Sequence, residues 1–318
     1  MAESEDLRDP WLVAVWPGMG NVALGAGTYL VEKLGAKWLA NLSARDLFDI
    51  DHVEVKRGVA SSGRMPRSMI FGWKDPLGKQ DLLIFIGETQ PSRGGYAFCH
   101  KLLDYGIERG VKRFFTFAAL ATQLHPTGDP RVFSVITEKP LFQELSDLSI
   151  ERLEDGQISG LNGVLLAAGA ERGLEGICLL GELPFFAVGV PNPKASQAVL
   201  RVFTEAAGID LDFDPINEQA KEVDQKLVRL LERMQRATDD ELDDESFIIP
   251  DVGEDDQIEE EEESADELDA ATLHRIENLF DQARRDRSKA LQLKQELDRL
   301  GVFQQFEDRF LDLFRKAE

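Results

Sequence analysis

Apolar residues in the first part of the chain form short unbroken runs that alternate with stretches of helical spacing. Four runs have the length of strands buried on both faces: residues 11–16, 81–87, 113–118 and 176–180. Helical spacing follows at residues 22–34, 94–109, 161–172, 194–208 and 216–236. This alternation predicts an α/β fold with a mostly parallel sheet between layers of helices.

The first strand and helix define the best-marked unit of the chain. Pro17 and Gly18 end the apolar run, because proline cannot donate to a central sheet and glycine allows a tight turn. Asn21 is a predicted N-cap, and Gly35 is a predicted C-cap. The turn lies at the carboxyl end of a strand, where open α/β sheets place their ligand sites.

Shorter apolar runs predict further strands at residues 37–40, 53–55, 68–73 and 132–136. The second and third of these could pair with each other. Residues 119–130 are predicted to form a loop, because Pro126, Gly128 and Pro130 break any regular structure there.

Charge is distributed unevenly along the 318 residues. The net charge is −23, and residues 238–269 contribute 18 Asp or Glu without a Lys or Arg. Like charges repel, so we expect residues 238–269 to be a disordered acidic linker between a core domain, 1–237, and a C-terminal segment, 270–318. No basic stripe and no long apolar run is present, so we expect no nucleic acid or membrane partner and a cytoplasmic location.

The C-terminal segment is predicted to be helical. Two apolar stripes have helical spacing: Ile276, Phe280, Ala283, Ala290 and Leu297, and then Phe303, Phe306, Phe310, Leu313 and Phe314. Such stripes require burial. They could fold back on the core or on a neighbouring subunit, or they could hold a separate protein partner.

One motif fits dinucleotide binding in part. Gly18, Gly20 and Ala23 match G-x-G-x-x-A after a strand and at a helix start, where backbone N–H groups could hold a pyrophosphate. That chemistry also needs an acidic residue about 20 positions later. Asn41 stands there instead, which weakens the hypothesis.

Two carboxylates are candidates for site chemistry. Glu88 and Glu182 each follow a buried strand, and both could face the turn at residues 18–21 and bind a ribose or an amine or act as a general base. Alternatively, they hydrogen-bond backbone N–H groups and shape their loops. The predicted pocket consists of Gly18, Met19, Gly20, Asn21, Glu88, Gln90, Ala118 and Glu182.

No complete catalytic set, metal site or cofactor site is expected. The four histidines are scattered without metal-ligand spacing. Cys99 and Cys178 lie in apolar runs, which is typical of buried reduced thiols.

Several turns together resemble the proteasome assembly chaperone family, second type. The similar segments are residues 16–23 with Tyr29 and Leu30, residues 87–91 with Tyr96, residues 156–163, and residues 181–184 leading to 191–196. The resemblance implies a three-layer αβα sandwich of the phosphorylase/hydrolase-like kind, plus a C-terminal helical extension. It also implies a homo-oligomer, and we favour a trimer.

Two functions remain open at this stage. The first is a non-enzymatic, oligomeric protein-interaction or assembly-chaperone-like protein. The alternative is a nucleoside-phosphorylase-like enzyme or a binder of nucleosides or nucleotides, because several predicted turns end apolar strands and could converge.

Overall fold

A computed structural model describes most of the chain as two compact units. The described residues are 7–43, 47–48, 53–62, 64–244, 270–285, 289–299, 302, 303, 306, 309, 310 and 313. The first unit comprises Met1–Gln225 and the second Lys226–Glu318.

Ten strands and eight helices make up the described regular structure. The strands are β1 (Trp11–Val15), β2 (Lys37–Asn41), β3 (Val53–Lys56), β4 (Val59–Ser62), β5 (Ser68–Trp73), β6 (Leu82–Gly87), β7 (Arg113–Thr122), β8 (Val132–Ile136), β9 (Glu151–Arg152) and β10 (Glu175–Pro184). The helices are α1 (Val22–Leu34), α2 (Gly95–Ile107), α3 (Leu141–Glu144), α4 (Leu161–Glu171), α5 (Pro193–Ala207), α6 (Asp214–Asp244), α7 (Ala270–Arg285) and α8 (Ala290–Arg299).

The first unit contains an eight-stranded sheet in the order β2-β5-β6-β1-β7-β10-β8-β9. The four predicted apolar strands, β6, β1, β7 and β10, are neighbours and run parallel, so β1 lies inside the sheet. Strands β2, β5 and β8 add antiparallel pairings on both sides of this centre. The predicted α/β fold with a mostly parallel sheet is confirmed.

Helices cover both faces of the sheet because successive residues of a buried strand point to opposite sides. Leu12, Ala14 and Trp16 join the core formed with α2 and α4. Val15 points the other way, so that a Cβ at Gly27 of α1 would lie 2.4 Å from its methyl group. Helices α1 and α5 pack together on that second face. These layers confirm the αβα sandwich.

Two strand predictions were wrong. Strand β3 pairs with β4 in a separate two-stranded sheet, and β5 pairs with β2 and β6 instead. Strand β7 continues to Thr122, into residues predicted as loop, because β10 pairs with it as far as Pro184. Glu182 therefore lies within a strand rather than in a loop, and Ala118 lies inside β7 rather than at its end.

Helix α6 continues to Asp244 rather than ending at Arg236. Residues 238–244 are thus helical, although the charge pattern assigned them to a disordered linker. Extending an existing helix requires far less free energy than nucleating a new one, and Ala237 and Leu242 have high helix propensity. The rest of the predicted linker, 245–269, lies outside the described residues.

The apolar stripe of the C-terminal segment is buried within the second unit. Helices α7 and α8 pack against each other. The buried side chains include Ile276, Phe280, Ala283, Ala290, Leu293 and Leu297. Mutual burial of α7 and α8 accounts for the first apolar stripe of the C-terminal segment, which these two helices share.

Candidate functional site

The turn after β1 is held by the loop that precedes α5. Residues 19–21 form a single 3₁₀ turn in which Gly20 has φ +56° and Asn21 has φ +47°. The Gly20 N–H donates to the Val188 carbonyl at 2.7 Å, and the Asn192 N–H donates to the Gly20 carbonyl at 2.8 Å. A backbone N–H that the dinucleotide hypothesis would offer to a phosphate is therefore already bonded. Asn21 is at the N-cap position of α1, but its side chain makes no capping bond.

Asn162, at the start of α4, binds the same turn from the opposite face of the sheet. Its Oδ1 accepts the Trp16 N–H at 3.0 Å, and its Nδ2 donates to the Trp16 carbonyl at 3.2 Å. The Thr116 hydroxyl lies 3.5 Å from the same Oδ1. We call this arrangement the Asn162 clamp. Sequence reasoning missed it, although Asn162 lies within the segment 156–163 that contributed to the family resemblance.

Gln90, a predicted pocket residue, connects the turn to the N-terminus of α4. Its Nε2 donates to the Pro17 carbonyl at 2.8 Å, and its Oε1 accepts the Leu161 N–H at 3.0 Å. The side chain therefore satisfies a helix N–H that would otherwise lack a partner. Gly18 lies on this side of the turn, where a Cβ would meet only the Asn162 Nδ2 at 3.5 Å.

Glu88 is paired with two arginines. Its carboxylate accepts the Arg67 N–H at 2.9 Å, the Arg67 Nε at 2.8 Å and the Arg64 guanidinium at 3.0 Å. Burial by itself raises the pKa of Glu88, but the hydrogen bonds from Arg67 and Arg64 outweigh it and lower that pKa to about 2. A carboxylate with so low a pKa is a weak base near neutral pH.

Glu182 is the most deeply buried carboxylate of the predicted pocket, with a side chain 3% exposed. It accepts hydrogen bonds from Thr122 Oγ1 at 2.7 Å and from the Arg131 guanidinium at 2.8 and 3.0 Å. The Arg131 N–H also donates to it, at 3.1 Å. Burial raises the pKa of Glu182, and the bonds from Arg131 and Thr122 more than reverse this, so the net pKa is lowered.

The two carboxylates do not form a pair. Glu88 follows β6 and Glu182 lies on β10, and β1 and β7 stand between these strands. Three strand spacings place them about 14 Å apart across the sheet. Their partners fit the second interpretation, in which they shape their own segments, because each also accepts a backbone N–H.

Two of the predicted residues, Gly20 and Asn21, border a groove of about 510 Å³ on the other face of the sheet. The groove lies between α1, the residues around the start of α5, and the first turns of α6. Its lining residues are Gly20, Asn21, Leu24, Gly25, Thr28, Tyr29, Glu32, Pro191, Asn192, Pro193, Ser196, Ile216, Gln219, Glu222 and Val223. We call it the α1–α6 groove. The sequence pattern does not predict that α6 borders this groove.

Other reactive groups are sequestered within the described part of the chain. Cys99 and Cys178 are buried free thiols, and burial raises the pKa of Cys99 to about 12 and raises that of Cys178 as well. Among the described residues, no group of three or more His, Cys, Asp or Glu side chains is arranged to hold a metal ion. None of the described helices combines the length and apolarity that a membrane crossing needs.

The turn geometry predicts effects of different size for substitutions at Gly18 and Gly20. Gly20→Ala should lower the free energy of unfolding by about 1 to 2 kcal/mol, because alanine is strained at positive φ and its Cβ would lie 2.7 Å from a Leu183 methyl. Gly18→Ala should change it by less than about 0.5 kcal/mol, since Gly18 is extended and has room. Urea denaturation of both variants measures this difference, and equal effects would contradict the turn described above.

Comparison with known families and curated proteins gives one family and one relative. A family model described as the PAC2 family matches residues 12–231. The uncharacterized protein MJ1210 of Methanocaldococcus jannaschii is 25% identical over 245 residues, which cover 73% of this chain and 88% of that protein.

Solved structures of similar fold include proteins connected with the proteasome. Pyrococcus furiosus PbaB, described as an archaeal proteasome activator, is 30% identical, with a TM-score of 0.62 over 72% of this chain and 96% of that one. Mycobacterium tuberculosis Rv2125, described as a proteasome-assembly chaperone homologue, is 19% identical, with a TM-score of 0.59 over 69% of this chain and 94% of that one. At that lower identity the likeness concerns the fold.

Proposed function

Since the chain belongs to the PAC2 family, we propose that it is a non-enzymatic, assembly-chaperone-like protein that acts in the cytoplasm by binding other proteins. The observation that carries this proposal is the similarity to PbaB, which extends over 96% of that archaeal proteasome activator at 30% identity. The partner that this similarity suggests is a proteasome subunit or a related ring-forming protein.

The chemistry of the predicted pocket supports a binding role over catalysis. Glu88 and Glu182 are engaged by arginines that lower their pKa values, so neither is suited to general-base catalysis near pH 7. The Cys99 thiol, with a pKa raised to about 12, is not a nucleophile at that pH. These groups stabilise the fold, and the nucleoside-phosphorylase alternative gains no support from them.

We further propose that the protein is a homo-oligomer and that a trimer is its main form. A trimer has a mass of about 107 kDa, three times the 35.6 kDa of one protomer. Light scattering on the eluate of a size-exclusion column measures this mass directly. A mass of one protomer at every concentration would refute self-association, and another multiple would refute the trimer alone.

Mixing with purified proteasome α-subunits of the same organism tests the partner. We expect the two proteins to elute together from a size-exclusion column at micromolar concentrations. The C-terminal helices α7 and α8 are a candidate contact, so a variant lacking residues 270–318 serves as the comparison. Separate elution of the full chain and the α-subunits would contradict the proposed partner, whereas retained binding by the shortened chain would exclude only the C-terminal contact.

A further inference from the structure

Two side chains in the centre of the sheet carry buried polar atoms that need a hydrogen-bond partner. Within the described part of the chain, the buried side-chain nitrogen and oxygen atoms without such a partner are Trp16 Nε1, Ser68 Oγ and His100 Nδ1. Trp16 is fully buried, and Ser68 is 3% exposed. Buried polar atoms are rarely left unpaired in folded proteins, because desolvation without a new hydrogen bond destabilises the fold.

Gly87 of β6 shows that the polar atoms of Trp16 and Ser68 are neighbours. A Cβ at Gly87 would lie 2.5 Å from Trp16 Nε1, so the indole nitrogen lies directly over this glycine. Ser68 of β5 is the residue opposite Gly87 in the antiparallel pairing of β5 with β6. Opposite Cβ positions in such a pair are about 5 Å apart. The indole N–H and the Ser68 hydroxyl therefore lie beside the same glycine.

All three residues lie on the face of the sheet that α2 and α4 cover. Ile70 and Phe85 belong to the same core as Trp16, and they are two positions away from Ser68 and Gly87 on their strands, which places each pair on one face. The rings of Trp16 and Phe85 pack with their centroids 4.9 Å apart. An occupant among these apolar side chains has to be small.

The occupant also has to be neutral and able both to accept and to donate a hydrogen bond. Arg67 and Glu88, which adjoin Ser68 and Gly87 in the sequence, form an ion pair at 2.6 Å, so neither offers an unpaired charge to an ion. The Trp16 indole N–H can only donate, whereas a hydroxyl can donate and accept. Water has both capacities, and two hydrogen bonds of about 2.9 Å span the separation expected here.

We propose that one buried water molecule bridges Trp16 Nε1 and Ser68 Oγ beside Gly87. Its oxygen accepts the indole N–H, and one of its hydrogens is donated to the Ser68 oxygen. Trp16 is then fixed twice, by the Asn162 clamp at its main chain and by the water at its side chain. This inference concerns the interior of the first unit and does not depend on the proposed function.

A crystal structure of the full chain, at a resolution that shows ordered water, tests the bridge directly. We expect a water oxygen within about 2.7 to 3.2 Å of both Trp16 Nε1 and Ser68 Oγ. A direct hydrogen bond between Trp16 and Ser68 would overturn the proposal, and so would a structure with ordered water elsewhere in the interior but none between these two atoms.

The sign of the stability change in Ser68→Ala is a second test. If the hydroxyl is bonded to water, its removal should raise the equilibrium constant for unfolding about threefold or more. If the hydroxyl has no partner, its removal relieves a desolvation penalty and should lower that constant. Urea denaturation followed by tryptophan fluorescence measures the constant. An unchanged or lower value for Ser68→Ala would overturn the proposal.

Ser134→Ala is the matched control for a serine with a partner inside the protein. Ser134 is fully buried on β8, and its hydroxyl donates to the Glu151 carbonyl at 3.2 Å. Like Ser68→Ala, it should raise the equilibrium constant for unfolding.

A double-mutant cycle tests whether Trp16 and Ser68 share one water. Trp16→Phe removes the indole N–H, so Ser68→Ala should then have an effect on the unfolding constant that is smaller by a factor of about two or more. Ser134→Ala should have the same effect with or without Trp16→Phe. Equal effects of Ser68→Ala in both backgrounds would contradict a shared water. If Trp16→Phe does not fold, the crystal structure and Ser68→Ala alone decide the question.

Discussion

Asn162→Ala is expected to lower the free energy of unfolding of the first unit by about 2 to 5 kcal/mol. The substitution removes both hydrogen bonds of the Asn162 clamp and leaves the N–H and the carbonyl of Trp16 without their partner. Trp16 is fully buried, and each unsatisfied buried polar group costs about 1 to 3 kcal/mol. The effect should be among the largest for a single polar side chain in this fold.

Tryptophan fluorescence during urea denaturation measures this loss in the relevant unit. All four tryptophans lie within the first 73 residues, so their emission reports on the first unit. Thr116→Val is the matched control, because its contact to Asn162 is long, at 3.5 Å, and valine keeps the shape of the side chain. We expect a change below about 1 kcal/mol for the control. A similar small change for Asn162→Ala would show that the clamp contributes little.

Arg131→Met is expected to destabilise the first unit by about 2 to 3 kcal/mol at pH 7. It leaves the Glu182 carboxylate, 3% exposed, without its guanidinium, and an uncompensated buried charge costs about 3 to 5 kcal/mol. We expect the lower part of that range or less, because Arg131 is itself 54% exposed and Thr122 still donates to Glu182.

The pH dependence of this variant follows from the direction of the pKa shift. In the wild type the pKa of Glu182 is lowered, so its contribution is present above the unfolded pKa of about 4.3 and is lost as the pH falls through the folded value. In Arg131→Met, burial without the arginine raises that pKa, so acidification neutralises the buried charge. The stability difference between the two proteins should therefore be largest at neutral pH and narrow below about pH 5.

Arg172→Met provides the control for this experiment. Arg172, which directly follows α4, pairs with Asp104 on α2 at the surface, where an ion pair contributes about 1 kcal/mol or less. We expect a small effect with little change between pH 7 and pH 5. If Arg131→Met loses the same free energy of unfolding relative to the wild type at pH 7 and at pH 5, the role assigned to the buried Glu182 charge is contradicted.

The central strands and helix α1 could be predicted from the sequence, because each is marked by residues within its own segment. An apolar run such as residues 11–16 identifies a strand buried on both faces without knowledge of its neighbours. The caps and breakers around α1 are also local, and Gly35 is observed in the left-handed conformation expected of a C-cap. The alternation of strands and helices predicted the layers as well, and the family resemblance added the phosphorylase/hydrolase-like kind of sandwich.

The partners of the polar residues could not be predicted, because they come from distant parts of the chain. The Asn162 clamp joins residues 146 positions apart, and Glu182 meets Arg131 from 51 positions away. The apolar run at residues 176–180 predicts that Glu182 follows the strand. Glu182 remains in the strand because Thr122 on β7 extends the pairing with β10. The α1–α6 groove could not be predicted for the same reason, because it is lined by residues of α1 and α6 that are far apart in the sequence.

Native mass spectrometry of the full chain, alone and mixed with proteasome α-subunits of the same organism, tests the central claim most directly. We predict a homo-oligomer for the chain alone, with the trimer near 107 kDa as its main form, three times the protomer mass. We also predict a new species that contains both proteins in the mixture. A spectrum with only the monomer and the unaltered α-subunits, under conditions that preserve other complexes, would contradict the account.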